Sequence, residues 1–411
     1  MKTSQFHTPS FLTFILFATW SAFTFLIAFI LLVVLLVTFS SSGETNTLLT
    51  IIFASQTFIG ILLGTASVIS ATRFMNNQFS DKAVSTSIKS LSIVFGVIVT
   101  GIVLLIGRYT QFNQSVNWLV LPLLTIPAVT IPTWLIFRLG TKNLPSQSNW
   151  RIWSIFGISI SLTGLIALIL EIVVIIFAFL LFVIYIASNP DFAREFEVLS
   201  NQFTTINPNP DEAARLIVPY LTKPGVLLTA FTLFCVIIPF IEEAFKPLGV
   251  WLIAGRLKSQ AQGFLLGAIG GAGFALVESL NAAAQTDGWS TLLLARIGAN
   301  AMHITASALI GSGIYLAFHE KRYLRLFSTY LLSVFLHGLW NFIALTNGFS
   351  SLLVMYGQSG RYQIIETISY MGLAVLTIGL IALLIRSNRK LQNSEHMKEN
   401  PMILEENNST V

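Results

Sequence analysis

The sequence predicts an all-α membrane protein with about ten spanning helices, and two properties of its composition lead to this prediction. Of 411 residues, 54% are hydrophobic and only 10% are charged, whereas a soluble domain has roughly 25% charged residues. The mean hydropathy is +0.77, so the apolar side chains exceed what one water-soluble core could bury. These values exclude a soluble enzyme, a disordered chain and a nucleic-acid-binding protein, and they predict a lipid bilayer as the surroundings.

Ten apolar stretches are long enough to cross a bilayer, which requires about 20 residues in a helix. The first is longer than the apolar region of a signal peptide and no small-residue cleavage site follows it, so we interpret it as a retained helix. The fifth would be roughly 54 Å long as a continuous helix and must tilt, project from the membrane or break. The predicted spans are 11–39, 48–71, 90–107, 117–137, 152–187, 226–254, 263–284, 297–317, 326–346 and 367–385.

Basic residues predict the orientation, because short loops rich in Lys and Arg face the cytoplasm. With a cytoplasmic N-terminus, 16 of the 23 Lys and Arg residues fall on the cytoplasmic side, six fall outside and Lys246 lies within a span. We therefore predict a multi-pass protein of the cell membrane with both termini in the cytoplasm.

The chain divides into five predicted parts. The first holds five spans of unassigned role, the second is a long outer loop, the third holds four spans with polar residues, the fourth is the last span, and the fifth is a polar cytoplasmic tail that we expect to be disordered. Their bounds are 1–187, 188–225, 226–346, 347–385 and 386–411.

The outer loop carries a pattern typical of helices. Phe192, Phe196, Leu199 and Phe203 follow the spacing of an amphipathic helix lying on the membrane surface. A second short helix is predicted over 211–220, because two acidic residues begin it.

Nearly all ionisable side chains within the predicted spans lie between residues 242 and 341. One ionised group at the bilayer centre costs at least about 2.5–3.5 kcal/mol, so a cluster of this size marks a functional site or a buried structural network. Glu171 in the fifth span is the exception, either as an interior hydrogen-bonding group or at a break in that segment. The cluster consists of Glu242, Glu243, Lys246, Glu278, His303 and His337, with Asn341 beside them.

The spacing of the first three groups predicts an ion-paired helical face. Lys246 follows Glu242 by four residues and Glu243 by three, so one ammonium group can reach both carboxylates. Pro247 then predicts a kink just past these charges, because proline cannot donate a backbone hydrogen bond.

Later helices repeat the four-residue spacing. Phe274 and Glu278 share one face, and so do His337 and Asn341, so that the amide can orient the imidazole. The same spacing occurs in a ridge of small residues that lets another helix approach closely. This ridge is formed by Gly263, Gly267 and Gly271.

The charges in the cluster predict chemistry with protons or cations. Three glutamates and one lysine leave a formal charge of −2 when both histidines are neutral, and a desolvated site would offset it by holding protons, charging a histidine or binding a cation. One of two adjacent carboxylates can activate a water, and a histidine can donate to the resulting oxyanion. Zinc also accepts these ligand types, although no His-Glu-x-x-His motif is present. The candidate zinc ligands are Glu243, His303 and His337.

In this order, the residues resemble the PrsW family of intramembrane proteases, which are related to the CAAX prenyl endopeptidases. The family pattern is E-E-x-x-K, then F-x-x-x-E, then a histidine, then H-x-x-x-D/N on successive helices. The resemblance covers about 226–346, and Asn341 in place of an acid is more like the CAAX-protease arrangement. This chain reads Glu242-Glu243-Ala-Phe-Lys246, Phe274-Ala-Leu-Val-Glu278, His303 and His337-Gly-Leu-Trp-Asn341.

The resemblance implies an intramembrane endopeptidase that hydrolyses a peptide bond of a membrane-associated protein. By this resemblance Glu242 and Glu243 would activate water, and His303 and His337 would bind the oxyanion or a metal. The substrate would be a membrane-anchored protein, as anti-sigma factors are for PrsW-type enzymes. The supporting residues would be Lys246, Glu278, Asn341 and Phe274.

Two other functions fit parts of the pattern. Ten helices with buried carboxylates also suit a proton- or ion-coupled transporter, with Glu171 as a relay group, although the polar residues are confined to one half of the chain. A non-catalytic membrane binding protein could keep the protease fold and use the polar cluster structurally.

Overall fold

The computed structural model of the chain is almost entirely helical, as the composition predicts. It describes residues 7–43, 45–75, 82–206, 209–284, 288–357 and 360–399. Of the described residues, 88% are helical and almost none lie in strands, and in the same ranges ten helices are long and apolar enough to cross a membrane. The all-α class and the predicted number of spans are confirmed.

The first four spans extend a few residues beyond their predicted bounds. His7 caps the first helix, because its imidazole accepts from the backbone N–H of Ser10 at 3.3 Å. A two-residue strand pair, β1 (Ala83–Val84) and β2 (Gln147–Ser148), is antiparallel, with Ala83 opposite Ser148. The four helices are α1 (Thr8–Ser42), α2 (Thr47–Phe74), α3 (Ser90–Thr110) and α4 (Gln114–Gly140).

The overlong fifth span is interrupted rather than continuous. It comprises α5 (Asn149–Ile158), a π-helical turn (Ser159–Thr163) and α6 (Gly164–Ser188). A π-helical turn shifts the hydrogen-bond register by one residue, which rotates the faces on either side of it. The turn is fixed by Ser159, whose hydroxyl donates to the carbonyl of Gly270 at 2.5 Å.

The outer loop forms the two predicted helices. They are α7 (Pro190–Ile206) and α8 (Pro210–Ile217), the second followed by a 3₁₀ turn (Val218–Tyr220). Asn209 and Glu212 form a reciprocal capping box, in which the side chain of each accepts from the backbone N–H of the other at 3.0 and 3.1 Å.

The sixth span ends earlier than 226–254, and Pro247 terminates the helix instead of kinking it. The span consists of α9 (Pro224–Thr232), a π-helical turn (Leu233–Ile237) and α10 (Ile238–Phe245). Pro247 has no N–H to donate to the preceding turn, so it caps the short α11 (Leu248–Trp251), after which a 3₁₀ turn (Ala254–Arg256) follows. The Trp251 indole donates to the Ala244 carbonyl at 3.1 Å.

The last four helices are longer than their predicted spans. The last helix continues through residues that we expected to be disordered from 386, because Leu391 is buried and the Asn388 amide donates to the Lys142 carbonyl at 2.9 Å. The end of the predicted tail, 400–411, lies outside the described residues. The helices are α12 (Gln260–Ala282), α13 (Trp289–Glu320), α14 (Tyr323–Met355) and α15 (Arg361–Glu399).

The chain separates into two compact units. The first contains Met1–Gly164, Glu243–Ser333 and Leu376–Val411, and the second contains Leu165–Glu242 and Val334–Val375. Within the first unit α12 and α13 are the interior helices, since 89% and 83% of their most apolar windows are buried, against 11% for α1.

The glycine ridge explains why α12 and α13 pack so closely. A Cβ added to Gly267 would lie 2.2 Å from the carbonyl oxygen of Ser307, and one added to Gly263 would lie 2.4 Å from that of Gly311. Only glycine leaves room for backbone carbonyls at these distances. The close approach predicted from the four-residue spacing is confirmed.

Within the second unit, aromatic side chains provide much of the packing. Phe231 of α9 lies 4.9 Å from Phe342 of α14 between ring centroids. Phe182 of α6 contacts both Phe192 and Phe196 of α7 with ring centroids 6.0 Å apart. These contacts attach the outer helix to the end of the fifth span.

Candidate active site

In the first unit, Glu243 and Lys246 form a fully buried ion pair. The ammonium lies 2.6 Å from the carboxylate, and both side chains are 0% exposed. Lys246 also lies 4.8 Å from the centroid of the Phe274 ring, a cation–π distance. Lys246 is therefore the charge partner of Glu243, as the three-residue spacing predicts.

The close packing of α12 on α13 places Glu278 against His303. A Cβ added to Gly271 would lie 2.4 Å from the carbonyl oxygen of His303. The backbones of α12 and α13 therefore touch at His303, about two turns before Glu278 on α12. The carboxylate of Glu278 lies 2.5 Å from the imidazole Nε2 of His303, which is 1% exposed. Phe274 packs beside this imidazole with ring centroids 5.3 Å apart.

Arg296 is part of the same cluster, which the sequence analysis did not predict. Its guanidinium binds Glu278 through two nitrogens, Nη1 to Oε1 and Nη2 to Oε2, each at 3.0 Å. The predicted eighth span begins at residue 297, which places Arg296 just outside the membrane. Its spacing could have indicated the contact, since Arg296 precedes His303 by seven residues and so shares its helical face.

A chain of polar groups extends from Arg296 through the first unit. The Arg296 Nε donates to the Ser279 hydroxyl at 3.0 Å, and that hydroxyl donates to the Asn300 Oδ1 at 2.7 Å. The Asn300 amide in turn donates to the hydroxyl of Thr133 at 2.8 Å. Asn300 is 1% exposed and was also missed, although it lies one turn from both Arg296 and His303.

The second unit holds the other glutamate–histidine pair. Glu242 Oε2 lies 3.8 Å from His337 Nε2, and the His337 side chain is 3% exposed. This separation is longer than a direct hydrogen bond. The pair joins α10 to α14.

A π-helical turn in the second unit fixes α14 opposite α10. A Cβ added to Gly338 would lie 2.2 Å from the carbonyl oxygen of Cys235, so the helices touch at this turn. The Asn341 amide donates to the carbonyl of Phe234 at 2.8 Å. This hydrogen bond holds the turn, whose altered register presents a carbonyl to a neighbouring helix. That Asn341 also orients His337 stays a prediction.

Including Arg296 changes the predicted charge of the cluster. In the first unit Glu243 faces Lys246 and Glu278 faces Arg296, so this part is neutral when His303 is neutral. The formal charge of the whole set falls from −2 to −1, because three glutamates now have two cations among them. The third glutamate is Glu242, which lies beside His337.

Neither unit by itself brings three candidate zinc ligands together. Among the described residues, no group of three His, Cys, Asp or Glu side chains is placed to hold a metal ion. Within each unit a histidine meets a single glutamate, whereas catalytic zinc is held by three protein ligands. The donor types suit zinc, and no step below is routed through a metal.

Comparison with known families supports a proteolytic function. Residues 162–365 match a family model described as PrsW family intramembrane metalloprotease. No curated protein and no solved structure matches the chain. The matched range is wider than the 226–346 of the motif resemblance and includes all of α6 and the outer-loop helices. This match favours a peptidase over the transporter alternative, and the chain is a multi-pass membrane protein in which residues 162–365 are similar to the PrsW family of intramembrane metalloproteases.

Proposed function

We propose that the protein hydrolyses a peptide bond of a membrane-anchored protein with a water activated by glutamate. The observation that carries the proposal is the pairing of Glu242 with the buried His337, within the family-matched range. A carboxylate beside an imidazole can take a proton from water and pass it on, which is the requirement for general-base catalysis.

The two adjacent glutamates differ in their partners, which suggests different roles. Glu243 is held by the Lys246 ammonium at 2.6 Å in a fully buried pair, and a carboxylate that stabilises a buried cation is a poor proton acceptor. Glu242 lies beside an imidazole instead. We therefore assign the base to Glu242, and we assign to Glu243 the electrostatic support of the residues around it.

The histidines are the proposed partners of the oxyanion formed when water attacks the peptide carbonyl. An imidazole N–H fixed in a water-poor site stabilises developing negative charge without needing to reorient. His303 and His337 are 1% and 2% exposed, and each is held by a glutamate. The zinc alternative, with Glu243, His303 and His337 as ligands, is retained for testing.

The proposed substrate is a single-span protein of the anti-sigma-factor type in the cell membrane. Similarity to the PrsW family supports a substrate embedded in the bilayer, and the anti-sigma-factor class extends the family resemblance. Fragments released from such a protein would leave the membrane once they lose their anchor.

Glutamate-to-glutamine substitution tests the proposed base. The purified protein is co-reconstituted in vesicles with a single-span fusion protein that carries a fluorophore and a quencher on either side of the cleavage region. Glu242→Gln should abolish cleavage while leaving the protein folded, and Glu320→Gln, which removes a surface carboxylate, should cleave like wild type. Glu243→Gln should also abolish cleavage and remain folded, with a lower free energy of unfolding because Lys246 loses its buried partner. Cleavage retained in Glu242→Gln would overturn the assignment of the base.

Metal content separates the two chemical routes. Mass spectrometry of the detergent-purified protein is compared with His303→Ala and His337→Ala. About one zinc per chain, lost in both variants, would indicate histidine ligands. An active preparation without metal would indicate a glutamate-activated water with the histidines at the oxyanion.

A further inference from the structure

Arg296, Glu278 and His303 form a continuous polar triad on the facing helices α12 and α13. The guanidinium holds both oxygens of Glu278 at 3.0 Å, and Glu278 Oε2 lies 2.5 Å from His303 Nε2. One hydrogen bond, from Nη1 to Oε1, and a second charged contact, between Nη2 and Oε2, leave the carboxylate little freedom to rotate. The Arg296 Nε is fixed in turn by Ser279 at 3.0 Å.

We propose that Arg296 is a positioning residue, which fixes the ring orientation and the tautomer of His303 through Glu278. The proposal rests on the function proposed above, since His303 is one of its oxyanion groups. The exposed fractions of the three side chains support a role for Arg296 that acts on Glu278 and, through Glu278, on His303. The Glu278 side chain is 40% exposed, that of Arg296 is 14% exposed and that of His303 is 1% exposed. The exposed part of Glu278 does not include Oε2, which is buried, and the guanidinium restricts the side chain to the rotamer that places this oxygen beside the imidazole.

The geometry also assigns the proton on the neutral His303 ring. A carboxylate bound to a guanidinium accepts hydrogen bonds and does not donate them. The imidazole nitrogen beside it, Nε2, therefore carries the proton of the neutral ring, and Nδ1 keeps a lone pair. His303 donates to the oxyanion through Nδ1 only after this nitrogen has also taken up a proton, and Glu278 then offsets the charge of the imidazolium. Which nitrogen is protonated is set by the hydrogen bond that the other ring nitrogen makes or receives.

Asn300 and Ser279 hold Arg296 from its other side. Ser279 donates to Asn300 Oδ1 at 2.7 Å, and Asn300 donates to Thr133 at 2.8 Å. These bonds connect α12, α13 and α4, so the guanidinium is supported by three helices. A lysine at position 296 keeps the charge but cannot bind both carboxylate oxygens in one plane.

Kinetics of four variants and one control test the positioning role. In the reconstituted cleavage assay, Arg296→Gln and Glu278→Gln should each lower kcat about 10- to 100-fold with little change in KM, which is the range found when supporting groups of a catalytic histidine are removed. The double variant should be no slower than the slower single one, because both act through one contact. Arg296→Lys should recover part of the rate. Arg322→Gln, which breaks the exposed pair with Glu320, should match wild type.

A second measurement does not depend on activity. The protein is labelled with ¹⁵N-histidine and studied by NMR at a pH above the titration range of histidine, with His303→Gln to assign the signals. The wild type should show His303 protonated at Nε2, and Arg296→Gln should show a mixture of tautomers at an unchanged unfolding temperature. A proton on Nδ1 in wild type, or an unaltered tautomer in Arg296→Gln, would overturn the proposal. A wild-type protein that cleaves nothing would instead contradict the proposed function, and the tautomer would still decide this inference.

Discussion

The free energy of unfolding depends on the buried ion pair between Glu243 and Lys246. Both side chains are 0% exposed and 2.6 Å apart. Lys246→Met should lower the free energy of unfolding by about 3–5 kcal/mol, because it leaves a buried carboxylate without its ammonium. Thermal or denaturant unfolding in detergent measures the loss.

Two controls distinguish this effect from loss of a positive charge in general. Lys258→Met removes an exposed lysine and should change the unfolding free energy by no more than about 0.5 kcal/mol. Combining Lys246→Met with Glu243→Gln should recover part of the stability. Equal effects of Lys246→Met and Lys258→Met would contradict the buried pair.

His7 makes stability depend on pH at the start of the first helix. Burial lowers the pKa of His7, and the charges of Arg73 and Arg256 lower it further. The folded state therefore favours neutral His7, whose contribution is present above the ordinary histidine pKa of about 6.5 and is lost as the pH falls below it toward the lowered value. Over this window the unfolding temperature should fall more in wild type than in His7→Asn, which keeps a capping side chain. Identical pH profiles would contradict the shift.

For single residues, the sequence indicated which side chains form the polar cluster better than it indicated which of them contact each other. The Glu243–Lys246 contact follows from spacing along one helix. Arg296 was missed because its partner, Glu278, lies on a different helix, and spacing within α13 shows only that Arg296 and His303 share a face. A contact between helices depends on how the helices are rotated against each other, which one sequence does not specify.

At the scale of elements, the glycine ridge of α12 determines the packing around Glu278 and His303. Gly267→Ala places a methyl group 2.2 Å from the Ser307 carbonyl oxygen and should cost about 1–3 kcal/mol through overpacking. In Gly101→Ala the added methyl meets nothing within 4 Å, so this variant should be as stable as wild type or slightly more stable. Unfolding in detergent compares the two, and equal stabilities would contradict the close packing.

Helices were predicted more reliably than the interruptions within them. Apolar length alone gave the ten spans, because a bilayer demands about 20 apolar residues for each crossing. The π-helical turns at Ser159–Thr163 and Leu233–Ile237 were not located, since each turn is stabilised by a partner far away in sequence. Ser159 binds Gly270, and Asn341 binds Phe234.

For the whole molecule, the distribution of basic residues predicts a cytoplasmic location for both termini. In a Cys235→Ser background, which removes the only cysteine, Ser200→Cys on the outer loop should react with an impermeant maleimide in intact cells. Asn393→Cys near the end of α15 should react only after the membrane is opened. The reverse pattern of labelling would contradict the orientation.

The central claim is that this membrane protein cleaves a membrane-anchored substrate with a water activated by Glu242. The most direct measurement is mass spectrometry of the products after cleavage in ¹⁸O-labelled water by the reconstituted protein. We expect two fragments from the wild type, and the fragment that has the new C-terminal carboxylate should carry one ¹⁸O atom. Glu242→Gln should yield no fragments. Cleavage that continues undiminished in Glu242→Gln, or a wild-type protein that yields no fragments, would contradict the account.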